Sequence, residues 1–133
     1  IDFETKGIVI SLGSNSLFES GDAKLKSNGL SIVKTLGNEL KERMQRYELV
    51  IDVEGHTDDV PISTARFPSN WELSSSRSAS VVKEFTELGL DREVVRAIGH
   101  ADAFPLKPNR DKDGTAIPSN MAANRRVDVI VHY

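Results

Sequence analysis

Two stretches of this chain share a four-residue shape, Gly55-His56-Thr57-Asp58 and Gly99-His100-Ala101-Asp102. Histidine and aspartate are donors that divalent metals accept, so His56, Asp58, His100 and Asp102 could together ligate an ion. The plainer reading makes each tetrad a glycine-led turn in which histidine packs and aspartate caps backbone groups. In a loop the two-residue spacing fixes no geometry, and so short a pattern recurs by chance. No metal and no cofactor are therefore expected.

Catalysis has little support in the remaining residues. Ser74, Ser75, Ser76, Ser78 and Ser80 crowd one segment, but none stands in a G-x-S-x-G elbow. Asp58 and Asp59 are adjacent, which does not suit the opposed carboxylates of a glycosidase. The chain has no cysteine, so thiolate chemistry and disulfides are excluded. Recognition of a small charged ligand fits better. Asp58 follows one predicted strand and Arg77 sits on the next predicted helix, and the intervening loop can return one to the other. Such a pair forms either a plain salt bridge or the two ends of a zwitterion clamp. In the clamp, the carboxylate holds an ammonium and the guanidinium fork holds a carboxylate. Backbone N–H groups at the loop or helix start could complete the acid's shell.

These residues need a scaffold, and the hydrophobic pattern supplies one. Gly7 to Leu12 reads as a strand, and Leu17 to Leu25, without a clean period, as a loop folded back over the core. Leu30, Val33, Leu36, Leu40 and Met44 form one stripe of a helix over 27–46, with Ser27 or Asn28 as cap. Gly37 inside it marks a close packing contact. Leu49, Ile51 and Val53 alternate with Val50, Asp52 and Glu54 in a second strand. Ser69 and Glu72 have capping-box spacing and open a helix over 70–88, which Gly89 closes. A helical turn over 91–93 precedes a third strand over 94–99. A polar loop over 100–119 follows, and alternating Val127, Val129 and Val131 mark a last strand over 124–132. The predicted order is β-α-β-α-β-β, an α/β (α+β) fold with a mixed sheet and helices on one face. If the strands before the two tetrads run parallel, both tetrads share one rim of the sheet.

Composition agrees. The 133 residues are 38% hydrophobic and 28% charged, which suits a single folded domain. The net charge of -3 gives no general reason to bind nucleic acid. No apolar run approaches the ~20 residues of a membrane span. The chain opens on Ile1, and we read it as an excised fragment.

The blocks VEGHTD (Val53 to Asp58), NWELSSSR (Asn70 to Arg77), VVRAIGHADAFPL (Val94 to Leu106) and NRRVDVIV (Asn124 to Val131) stand in fixed order. In that order and spacing the chain resembles the OmpA-like peptidoglycan-binding domain from Ile8 onward. The resemblance implies an OmpA-like fold over residues 26–133; the N-terminal segment before it, 1–25, lacks periodicity and precedes the first capped helix, and we expect it to be a mobile linker. It implies noncatalytic binding of peptidoglycan through diaminopimelate, with Asp58 and Arg77 holding the ligand. Thr57, Asn70, Leu73 and Ser74 match the pocket positions, and Asn124 and Arg125 match the block beside it. The clamp then takes the backbone end of diaminopimelate, ammonium on Asp58 and carboxylate on Arg77. Many family members have a short glycine-containing loop after GHTD. The longer loop here, with SNWELS, resembles the B subunits of flagellar motor stators (the MotB and PomB type). That branch implies a periplasmic domain of a single-pass inner-membrane protein. It also implies a homodimer, working with a stator A subunit and flagellar basal-body ring proteins.

Overall fold

The structure, a computed structural model, describes residues 6–133. Four strands form one mixed sheet: β1 (Lys6–Gly13), β2 (Val50–His56), β3 (Val95–Gly99) and β4 (Arg126–His132). Their order is β1-β4-β2-β3, with β4 antiparallel to both neighbours and β3 parallel to β2. The long helices are α2 (Ser27–Met44) and α3 (Asn70–Glu87); α1 (Ser14–Leu17) and α4 (Pro118–Asn124) are short. The mixed sheet agrees with the sequence reading, which lacked the two short helices. α4 takes up the end of the expected loop, residues 120–123 that had no expected element, and the first residue of the expected last strand, which instead begins at Arg126. Pro118 sets its start, where a missing N–H costs nothing.

Alternation explains the layers. Ile51 and Val53 on β2, Val127, Val129 and Val131 on β4 and Val95 on β3 join Val33 and Leu40 of α2 and Val81 and Phe85 of α3 in one core. The opposite face of the sheet is polar and densely paired. Asp52 receives Arg96 and His132, Asp128 receives Arg126 and Ser11, and Glu54 meets His100. Valine at every second position therefore sets which face each charge occupies. Gly37 lets Phe85 of α3 and Leu88 just beyond it approach the backbone of α2, as expected of a glycine inside that helix.

Residues 6–25, which the sequence reading set apart as an N-terminal segment, are built into this domain. β1 is one of the sheet's two edge strands, and Leu17 and Phe18 are core side chains. Residues 1–5 of that segment lie outside the described residues. The cap expected from Ser27 or Asn28 is replaced by Lys26, whose side chain makes no capping bond. At α3 the Ser69 hydroxyl accepts from the Trp71 N–H, as a capping serine should.

Candidate ligand-binding site

The two tetrads end parallel neighbouring strands in register, Gly55 opposite Gly99. Both glycines face the first turns of α3, and a Cβ on either would collide with Ser74 or Ser75. Glycine thus brings the helix start against the strand ends, and the histidines of the tetrads stack, ring centroids 4.9 Å apart. The four residues of the metal reading do not converge. Asp58 turns away into a cavity and Asp102 is exposed. Glu54 instead joins His56 and His100, their ligand-type atoms within 4.8 Å of one another. Burial, then the Arg126 guanidinium, push the His56 pKa down to about 4 against the weaker pull of Asp128.

The cavity, about 630 Å³, opens between the loop after β2, the start of α3 and residues 15–26. Thr57, Asp58, Asn70, Leu73, Arg77 and Arg125 all line it. Asp58 is buried. Its Oδ1 accepts from the Val60 N–H at 3.0 Å, and its Oδ2 accepts from Arg125 at 2.6 Å. The direct Asp58–Arg77 salt bridge is not formed. Arg77 is 6% exposed and donates to two carbonyls, Asp22 at 2.7 Å and Glu19 at 3.2 Å, with its guanidinium over the Phe18 ring. Among the described residues no carboxylate lies within ion-pair distance of it. Burial lowers its pKa, yet an arginine stays charged at neutral pH. A buried cation whose hydrogen bonds go to carbonyls, with Asp22 and Asp58 acting on it only from beyond ion-pair distance, is costly unless an anion completes it.

Other expected residues build the walls. The Asn70 amide donates to the Val60 carbonyl and shapes the loop. Leu73 packs with Phe67 and Ala23 as an apolar floor. The Thr57 N–H donates to the Ala101 carbonyl, which ties the first tetrad to the second. Ser74 and Asn124 stand behind the cavity and do not line it. The Ser74 hydroxyl accepts from the Ala101 N–H, the one described non-glycine residue at positive φ. Asn124, fully buried, accepts from the Leu106 and Lys107 N–H groups and donates to the Lys107 carbonyl and the Asn109 side chain. All its capacity goes to the loop before α4. Ser80 and Lys83 have S-x-x-K spacing, but the Ser80 hydroxyl faces the carbonyls of Ala23 and Ser76.

Sequence reasoning missed the wall contributed by Asn15, Phe18, Glu19 and Lys26. Carbonyl groups that hold an arginine leave no trace in residue type, so Glu19 and Asp22 carried no signal.

The OmpA family profile matches residues 17–117, most of the chain and all of the cavity except Asn15 and Arg125. The chain belongs to the OmpA family. Among curated relatives, this OmpA-family chain is 36% identical to the uncharacterized protein YtxE of Bacillus subtilis, over 96% of the chain and 49% of that protein. It is 30% identical to Motility protein B of the same organism, over 96% of the chain and 46% of the relative. The chain thus spans about half the length of these relatives. Among solved structures it is similar to the cell wall anchor of the type VI secretion system from Pseudomonas aeruginosa. There the TM-score is 0.78 and the identity 27%, over 93% of this chain and 80% of that one.

Proposed function

We propose that this domain binds peptidoglycan without cleaving it, holding the amino-acid end of diaminopimelate between Asp58 and Arg77. The observation that carries the proposal is Arg77, a buried guanidinium without a carboxylate partner on a cavity whose other side presents Asp58. The ligand's carboxylate completes Arg77 through a two-bonded fork, and its ammonium joins Arg125 on Asp58. Thr57, Asn70 and Leu73 shape the surface around that head, while Ser74 and Asn124 fix the loops behind it.

The likeness to Motility protein B supports a motor role for the binding. The domain then anchors a flagellar stator to the cell wall from the periplasm, tethered to the inner membrane by a single span. It acts as a homodimer beside a stator A subunit and the basal-body rings. Two domains per dimer raise avidity without a tight single site. Residues 15–26 form part of the cavity wall, so rearrangement of that segment on assembly would reshape the pocket. The Pseudomonas anchor supports a second reading, in which the same pocket tethers a different envelope machine.

Pelleting with purified sacculi, competed by free diaminopimelate, tests the binding. Retention that free diaminopimelate relieves is the expected result; no retention would remove the proposal. Loss of swimming on deletion of the gene, with the cell wall intact, separates the stator from the other anchor.

A further inference from the structure

The cavity carries more positive charge than an amino-acid head can use. Lys26, Arg77 and Arg125 line it, against Glu19 and Asp58. Asp58 is already matched by Arg125 at 2.6 Å. A zwitterionic head adds no net charge: its carboxylate goes to Arg77 and its ammonium to Asp58. That leaves Lys26. Its ammonium donates to the carbonyl of Asn15 at 2.8 Å, which leaves two further N–H donors. Among the described residues no carboxylate is within ion-pair distance of it, Glu19 on the same cavity included.

Position adds to the count. Lys26 is the N-cap residue of α2, and its own N–H is bonded to the Leu17 carbonyl. Backbone and side chain are thus both tied to the 15–17 segment. At about 630 Å³ the cavity falls within the usual range of ligand pockets and exceeds what an amino-acid head fills. Arg125 is matched by Asp58, whereas among the described residues Lys26 and Arg77 have no carboxylate within ion-pair distance, so an anionic ligand supplies charge that this side of the cavity lacks.

We propose that Lys26 holds a second carboxylate of the ligand. The cavity then selects an amino-acid head with a further acid a few carbons along its chain. This rests on the Asp58–Arg77 reading. It makes the preferred target a stem peptide in which the second acid of diaminopimelate is free.

Lysine is diaminopimelate without its second carboxylate, and 2-aminopimelate is diaminopimelate without its second amine. Calorimetric titration of the chain with these three ligands separates the possibilities. The parent should bind diaminopimelate and 2-aminopimelate about three- to tenfold more tightly than lysine of either configuration, the range for one partly screened charged contact. Lys26→Gln should erase that preference and leave lysine affinity within about twofold. Lys26→Glu should reverse it in favour of lysine. Equal affinities in the parent, or a preference that survives both substitutions, would overturn the role of Lys26 while leaving the clamp standing. Binding of none of the three would overturn the clamp reading and this inference with it. Circular dichroism of each variant should match the parent, because the Lys26 ammonium's hydrogen bond goes to the carbonyl of exposed Asn15.

Discussion

Asp58 is bonded to Arg125 at 2.6 Å, and Arg77 across the same cavity has no acid to meet. The two arginines therefore differ in kind. Arg125 pairs with a buried carboxylate and fixes its direction, whereas Arg77 has hydrogen bonds only to carbonyls among the described residues and, in the proposed clamp, takes the ligand's carboxylate. In the proposed clamp an incoming ammonium meets Asp58 with one oxygen on a backbone N–H and the other on Arg125, so it shares the acid with that arginine.

Asp58→Asn removes the charge that the ammonium needs and keeps an oxygen for the Val60 N–H. Sacculus retention should fall by at least about tenfold, the scale of one charge-assisted bond. Stability should fall by only about 1 kcal/mol, because the Arg125 side chain is 31% exposed and can turn to water. Pelleting and a urea midpoint on the same sample check both; retention at the parent level would exclude Asp58 from the site.

Arg77→Met should separate binding from stability in the opposite sense. It removes a buried charge whose hydrogen bonds go to the carbonyls of Glu19 and Asp22, on residues that reach solvent, and replaces the guanidinium over the Phe18 ring with an apolar chain. Apolar replacement of buried ionic groups is often neutral or stabilising. Sacculus binding should vanish while the melting temperature holds or rises. Arg77→Lys should also lose most binding, because one ammonium cannot bridge both carbonyls and present a fork. A large fall in stability for Arg77→Met would mark the arginine as structural.

The scaffold was legible because alternation and helical stripes write burial directly into residue type. Val127, Val129 and Val131, and Val33 with Leu40, are in the core as their spacing predicted. The parallel register of the tetrads was a condition that the β2-α3-β3 crossover meets. The other half of the cavity was not legible. Its wall over 15–26 has no period and contributes through backbone carbonyls, which every residue possesses. The Arg125 bond to Asp58 spans 67 positions, a separation at which local pattern says nothing. Asn124 shows the converse: the resemblance set it beside the pocket, and its bonds go to the neighbouring loop.

Asn124→Ala tests that distinction. It strands the Leu106 and Lys107 N–H groups and the Lys107 carbonyl around a fully buried site. Leaving such groups without partners costs roughly 2–4 kcal/mol in total. Well below the melting temperature, diaminopimelate affinity should change by less than about threefold, since the side chain lies outside the cavity. A binding loss much larger than the stability loss would return Asn124 to the ligand.

His56 sets a pH window. In the unfolded chain a histidine takes its proton near pH 6.5, whereas burial and Arg126 delay this to about 4 in the folded state. Between those values the unfolded chain holds more protons, so falling pH favours unfolding. The stability contribution is complete above pH 6.5 and drains away as the pH drops to about 4, a loss of roughly 3 kcal/mol if nothing relaxes. The groups around the ring are Arg126, Asp128, His100 and Glu54. A difference curve removes them. Urea midpoints of the parent and His56→Gln, taken from pH 7.5 to 4.5, should converge as pH falls because glutamine has no proton to gain. Curves that stay parallel across that range would mean that His56 titrates alike in the folded and unfolded chains.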